Sequence, residues 1–291
     1  MPTSEKIKVN SLQANTLGGL DEIERVTKRK RRHYVVHEQE LPSVTTILQD
    51  WPKPALYAWY AKRGRDSMAE YLMEYLGEPI SSGLLEDAVA EAKVAPKRDA
   101  KEAADLGTMA HELISMELLG QTVSVPPELD YVMKSFHEWQ SGEHLTLVDT
   151  ETAIYAPDYA GTIDALFKRD NGAFLLVDFK TSNHIYPEHD VQVFSYMDAI
   201  ANSVEGSIDI EGQVVRLGKE ESDFEVLEIN NYRDRLGKLW RGALAFHTAL
   251  EEDKIYQKSL KEKANDNQRR SMLGKLLQSP RRRDVDMGRG R

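Results

Sequence analysis

The sequence predicts an α/β (α+β) fold, with a helical N-terminal region followed by a mixed sheet flanked by helices. Three observations carry this. Apolar residues recur at helical spacing in "PALYAWYAKRGRDSMAEYLMEYL", "LEDAVAEAKVAPKRDAKEAADLGTMAHELISMELLG" and "ELDYVMKSFHEWQSG". From Leu145 the pattern changes to alternating or continuously apolar runs, "LTLVDTETAIYAP", "YAGTIDALFKRD" and "AFLLVDFKTS", with turn residues between them. Helical spacing then returns twice, on either side of "GSIDIEGQVVRLGKEESDFEVLEIN", which reads as one or two strands.

In chain order, residues 1–27 have weak periodicity and, with the run "KRKRR" at Lys28–Arg32, read as a mobile basic arm over 1–32. "RHYVVHEQELPSVTTILQ" reads as a short hairpin around Glu38–Glu40 and a helix beginning near Ser43. The next long helical pattern contains Pro96. Proline lacks the N–H and clashes with the preceding turn, so two helices are expected, broken at Pro96, the second ending at Gly120. A further helix ends at Gly142, three strands follow, and a helix runs from about Glu188 to Ala201. "YRDRLGKLWRGALAFHTALEEDK" is a long helix, and 254–291 reads as a basic disordered tail with one amphipathic piece, "MLGKLLQ". This gives a main domain over 33–253, mainly helical in 33–142 and sheet-forming in 143–253.

Composition narrows the chemistry. The 291 residues, 41% of them hydrophobic, suffice for one large core. No apolar run is long enough to span a bilayer, and "MPTSEKIKVNSLQ" lacks a signal-type apolar stretch, so a soluble cytoplasmic protein is expected. The absence of cysteine excludes disulfides, thiol catalysis and a cysteine-held iron–sulfur cluster. A metal would be held by oxygen and imidazole, which favours Mg²⁺ or Mn²⁺, with zinc on histidine and carboxylate as the alternative. The net charge of −10 is unevenly spread: 254–291 carry twelve Lys and Arg against four acids. Each basic run reads either as a solvated segment or as a phosphate contact.

The chemistry concentrates in "VDFKTSNHIYPEHDVQVFSY". An apolar strand leads directly into Asp178 and Lys180, and "GTID" precedes it by the span of a hairpin. The turn "RDNGA" decides where the acids point. A two-residue loop at Asn171–Gly172 sets Asp164 opposite Phe179 and turns the acids to opposite faces. A three-residue loop, Asp170–Gly172 with Gly172 left-handed, sets Asp164 opposite Asp178 and Thr162 opposite Lys180. The three-residue loop is expected, with Ile163, Ala165, Phe167, Leu175, Val177 and Phe179 facing the core. Opposed carboxylates repel unless a cation neutralises them, so a divalent metal is expected there. Gln192 and Tyr196, at i and i+4, share one helix face. His111 reads as a helix histidine near an opening at Gly107–Thr108, and Glu151 either as a ligand through water or, the preferred reading, as an exposed strand acid.

Taken in order, "GTMAH" (Gly107–His111), "GTID" (Gly161–Asp164), "VDFKTS" around Asp178–Lys180 and "QVFSY" (Gln192–Tyr196) resemble the RecB-type branch of the PD-(D/E)XK nuclease superfamily. "LPSVTTIL", Leu41–Leu48, also resembles the N-terminal region of phage and mitochondrial genome-maintenance exonucleases of that branch. The resemblance covers about residues 33–200. It implies a restriction-endonuclease-like sheet. It also implies a Mg²⁺ or Mn²⁺ site on His111, Asp164, Asp178 and the backbone carbonyl of Phe179. Lys180 is then the catalytic lysine, Gln192 and Tyr196 position the lysine or the DNA strand, and Ser43 and Thr45 approach phosphates. The implied activity is a metal-dependent DNA exonuclease acting at ends, in phage or bacterial recombination or processing, hence in the bacterial cytoplasm. A recombination or single-strand-binding partner is expected at the C-terminal tail. The same site would serve an endonuclease, and a catalytically inactive DNA-binding or assembly module is the alternative of another class. The D-x-K motif carries Asp178 where many relatives have Glu. The subgroup that binds an iron–sulfur cluster through four cysteines is excluded.

Overall fold

The structure is a computed structural model that describes residues 3–15, 19–28, 30–204 and 206–278, the last eight of them as backbone. The chain divides into two compact units, Met1–Ala243 and Leu244–Arg291. The first unit is mixed α/β and contains two sheets.

A four-stranded antiparallel sheet is formed by β1 (Thr3–Lys8), β2 (Glu22–Lys28), β3 (Arg31–Val36) and β4 (Gln39–Pro42), in that order. The short helix α1 (Ser11–Ala14) lies between β1 and β2, and α2 (Val44–Leu48) follows β4. Two long helices, α3 (Pro54–Met73) and α4 (Ser82–Leu118), pack as a hairpin and lead to α5 (Asp130–Ser141). The second sheet has the order β5 (Leu145–Ala156), β6 (Tyr159–Arg169), β7 (Phe174–Lys180), β8 (Ile210–Leu217), β9 (Phe224–Glu228). All its pairings are antiparallel except β7–β8, which are parallel and joined through α6 (Pro187–Ser203). The last helix, α7, runs from Arg233 to Gln278.

The residue alternation expected for the β6–β7 hairpin sets the core. Ala165, Phe167, Leu175, Val177 and Phe179 bury one face of the sheet against Ala110 and Ile114 of α4 and Val132, Phe136 and Trp139 of α5. The Phe179 ring meets Trp139 and Phe136 edge-on, with centroids 5.2 and 5.6 Å apart. Helix α6 covers the β8 strand, closely enough that a side chain at Gly212 would run into Met197 and Val193.

Three expectations are corrected. The described residues among 1–32 do not form a mobile arm: β1 and β2 belong to the first sheet and α1 lies between them, with Val9, Asn10, Gln13 and Ile23 buried. The second correction concerns Pro96, which lies inside one continuous 37-residue helix rather than between two. Proline 96 cannot donate to the Ala92 carbonyl one turn earlier, yet the turn survives because α3 packs there. A Cβ on Gly64 of α3 would lie 2.9 Å from the Ala92 oxygen, so glycine leaves room for the carbonyl that proline displaces. Gly107 likewise sits within α4 and does not open a helix. The third correction is at the C-terminus, where residues 254–278 continue α7 instead of forming a disordered tail. Residues 279–291 of that tail lie outside the described residues.

Among the described residues no helix is long and apolar enough to cross a membrane.

The Gly64 contact yields a direct test. Gly64→Ala should destabilise the α3–α4 hairpin by about 1–3 kcal/mol through overpacking, measured as a lower denaturation midpoint, whereas Gly83→Ala, which meets only a distant hydroxyl at 3.9 Å, should not.

Candidate active site

The turn between β6 and β7 fixes the site. Gly172 has φ +90°, its N–H donates to the Arg169 carbonyl at 2.9 Å, and the Arg169 N–H donates to the Ala173 carbonyl at 2.8 Å. The loop therefore holds three residues, Asp170–Gly172, and the strands pair as Lys168–Phe174 through Ala165–Val177. Continued by one step, this register aligns Asp164 with Asp178, but the paired ladder stops at Ala165–Val177. Beyond that point β6 stays paired to β5 and β7 to β8. The Phe179 N–H, left without a backbone partner on β6, donates to Asp164 Oδ2 at 2.8 Å. The expected opposition of Thr162 and Lys180 is thus not a ladder pair.

On the other side of β6, strand β5 carries a bulge. The register shifts between Leu147 and Asp149, after which Thr150 pairs with Ala165 and Thr152 with Ile163. Glu151 falls between them, across from Asp164, with φ +50°. Left-handed backbone at glutamate costs energy and needs support. The Thr150 hydroxyl donates to the Asp164 carbonyl at 2.8 Å. The N-terminal segment also braces β5 around this point. Asp149 accepts from Asn10 Nδ2 (3.0 Å), Ser11 N–H (2.9 Å) and Ser11 Oγ (2.6 Å), while Gln13 bonds both the N–H and the carbonyl of Tyr155. Three neighbouring strands thereby align Glu151, Asp164 and Asp178 in one row.

Helix α4 adds the histidine. Gly107 lets it pass close to Thr181, whose hydroxyl would lie 3.3 Å from a Cβ there. One turn later, His111 Nδ1 lies 3.2 Å from Asp164 Oδ2. Among the described residues, the ligand atoms of His111, Glu151 and Asp164 converge within 4.8 Å of one another. This differs from the expected set, since Glu151 takes the place in the cluster anticipated for Asp178. Asp178 is buried beside it and contacts the Lys180 ammonium.

The charges of these groups are interdependent. Burial raises the Asp178 carboxyl, Lys180 opposes this and Asp164 adds to it, leaving it at about 6. For Asp164, burial again favours the neutral acid, but His111, Lys180 and the Phe179 N–H outweigh it and hold the carboxyl below its ordinary range. Burial works against the charged forms of His111 and Lys180, yet the acids prevail and raise both. Glu151 is pushed up to about 7, by burial and then Asp164, with His111, Arg25 and Arg32 acting in the opposite direction.

The donor set fits a hard divalent cation. It consists of imidazole and carboxylate, and beside it the buried Asp178 has the Lys180 ammonium on one oxygen and no partner on the other. A buried carboxylate oxygen left without a partner is costly, and a hard cation is one group that satisfies it.

Gln192 and Tyr196 of α6 share a face as expected, with Gln192 Nε2 donating to Tyr196 Oη at 3.0 Å. The Tyr196 ring lies on Gly161 of the "GTID" segment. Burial, then Asp178 and Tyr34, keep its phenol neutral well above its ordinary range. Next to it, Tyr34 Oη shares a 2.7 Å hydrogen bond with Thr162 Oγ1. Ser43 requires correction as a phosphate contact: it is buried and caps α2 by accepting from the Thr46 N–H at 2.9 Å. Thr45 is part-exposed, its hydroxyl 2.9 Å from that of Ser43. His189, read as a loop residue, belongs to the first turn of α6, where Nδ1 accepts from the Tyr186 N–H at 3.2 Å. Burial, Lys180 and Lys53 lower it to about 3.

For Glu151 the preferred expectation of an exposed strand acid is corrected, and its place in the cluster agrees with the ligand alternative. A signal for it existed. A two-residue turn at Pro157–Asp158, pairing Ala156 with Tyr159, puts Glu151 across from Asp164 by the same arithmetic that aligns Asp178.

No protein-family model matches the chain, and no curated protein matches it. Among solved structures it is similar to an alkaline exonuclease (LHK-Exo) from Laribacter hongkongensis, 17% identical, covering 72% of this chain and 98% of that one, with a TM-score of 0.33. It is also similar to LHK-Exo in complex with dAMP, 16% identical over the same shares with a TM-score of 0.30. A third similar structure, SSO0001, is 15% identical, covering 62% of this chain and 85% of that one, with a TM-score of 0.26. Similarity at these TM-scores carries no argument, and the site stands on its own geometry.

The Gly161–Tyr196 contact should be sensitive to a single methyl. Gly161→Ala forces the buried ring to shift, at an expected cost of about 1–3 kcal/mol, read as a lower midpoint in chemical denaturation; an unchanged midpoint would mean that Tyr196 does not pack there.

Proposed function

We propose that this chain is a metal-dependent DNA nuclease, and within that class an exonuclease hydrolysing phosphodiester bonds at DNA ends. The observation that carries the reading is the row of Glu151, Asp164 and Asp178 across three strands, with His111 above it and Lys180 on the buried acid. Such a concentration of acids needs a cation. The sequence resemblance to RecB-type nucleases supports the same reading, and the preference for DNA ends rests on that resemblance.

His111, Glu151 and Asp164 would hold the ion, with Asp178 beside them. Mg²⁺ or Mn²⁺ bound there would polarise the phosphoryl group and make water a stronger nucleophile at neutral pH. The chain supplies the rest. Asp164 uses one oxygen for the Phe179 N–H and His111, which fixes the carboxylate against β7. Asp178 holds Lys180 in its charged form at a partly exposed position, where the ammonium can meet negative charge on the phosphate. Gln192 fixes the Tyr196 hydroxyl, and the buried ring closes the inner wall of the site. Processing or recombination of phage or bacterial DNA is the proposed setting.

The test compares linear duplex, linear single-stranded and closed circular DNA, each with Mg²⁺ or Mn²⁺. Linear DNA should be degraded and the circle left intact; a cut circle would convert the reading to an endonuclease. Asp178→Asn and Lys180→Ala should each lower the rate on the order of 100-fold or more while circular dichroism stays unchanged. Full cleavage by both variants would sink the mechanism.

A further inference from the structure

We propose that Arg32 binds a backbone phosphate of the substrate strand beside the candidate site; this rests on the nuclease reading and names one contact of its substrate. The first sheet carries the argument. Its register places Ile7, Ile23, Val36, Tyr34 and Leu41 on one face, which packs on Ala153 and Ala160 of the second sheet. The same face continues with Arg25 opposite Tyr34 and Arg32 opposite Thr27. It is therefore apolar where it covers β5 and β6, and polar where it extends beyond that contact. Tyr34 marks the boundary, because it bonds Thr162, two residues before Asp164 on the same strand. The charges of Arg25 and Arg32 reach Glu151.

The other arginines of this region, and Lys28, are occupied. Arg25 pairs with Glu5, Lys28 with Glu40 at 2.7 Å and Arg31 with Asp50 at 3.0 Å. Lys30 sits in the turn beyond the strands. Arg32 is exposed, and among the described residues its guanidinium has no carboxylate partner. Its backbone is nevertheless fixed on both sides: the N–H donates to Thr46 Oγ1 at 3.0 Å, and the carbonyl accepts from the Ser43 N–H at 3.0 Å and Thr46 Oγ1 at 2.8 Å. A guanidinium on a rigid strand, unpaired and beside a cluster of acids, suits an anion brought in with a cation. A phosphodiester carries that charge and matches the bidentate fork.

The experiment measures binding of a 3′-labelled oligonucleotide by fluorescence anisotropy in EDTA, across a series of KCl concentrations. The full chain is compared with Arg32→Ala and Arg32→Lys, using 5′-phosphorylated and 5′-hydroxyl DNA. Arg32→Ala should weaken binding about ten-fold and reduce the slope of log K against log salt by about one. Arg32→Lys should keep the slope and recover part of the affinity. A loss confined to phosphorylated DNA assigns the contact to the terminal phosphate, and an equal loss on both assigns it to an internal phosphodiester. Mn²⁺ affinity, followed by electron paramagnetic resonance, should be the same in all three proteins. Unchanged affinity and slope in Arg32→Ala overturn the proposal while leaving the nuclease reading in place, and so does a parallel fall in Mn²⁺ affinity. A wild-type chain that binds neither DNA nor Mn²⁺ overturns the nuclease reading, and this contact with it.

Discussion

The end of the β6–β7 ladder is the constraint on which the site depends. Up to Ala165–Val177 the two strands satisfy each other's backbone, and one residue later they do not. A buried N–H requires an acceptor, and the Phe179 N–H takes the Asp164 carboxylate. That bond draws a charged side chain into the space where backbone would otherwise lie. Asp178, the next acid along, is buried with Lys180 as its one partner and its other oxygen unmet. The site is thus made where a sheet stops being a sheet, and its acidity follows from the stop.

Each surrounding element has a role in keeping that opening in shape. The aromatic cluster of Phe136, Trp139 and Phe179 anchors β7 from the core side. On the opposite side Tyr196 fills the space above Gly161. The N-terminal segment fastens β5 at Asp149 and Tyr155, on both sides of Glu151. Helix α4 brings His111 in from a long hairpin whose own contact relies on Gly64. The protein therefore holds its charged residues from strands and helices rather than from loops, which limits their freedom before any ligand arrives.

Much of this was legible in the sequence where one local rule sufficed. The three-residue loop followed from "RDNGA" and from the need to align two acids, and the alternation around it correctly assigned the core face. Rules of longer range were hidden. Glu151 looks like a surface acid because its own strand pattern does not show that the turn at Pro157–Asp158 sets it across from Asp164. The β3–β4 hairpin of the first sheet is legible in the sequence, but β1 and β2 are not, because Glu5 and Arg25 break the period of two that Ile7 and Ile23 begin. Pro96 reads as a helix end because the glycine that accommodates its displaced carbonyl is 32 residues away in sequence. Ser43 was read as free chemistry when its hydroxyl was already committed to a cap.

The turn Asp170–Gly172 acquires an unusual status from this geometry. Exposed hairpin tips are where chains ordinarily absorb insertions and deletions without consequence. Here the number of residues in the tip decides whether Asp178 shares a side of the sheet with Asp164, and the two acids stand about six residues further down the strands, on the order of 20 Å away. Lengthening or shortening that tip by one residue would turn Asp178 and Lys180 away from Asp164 while all three remained in the chain. The surface loop least involved in chemistry is the one whose length the chemistry cannot spare.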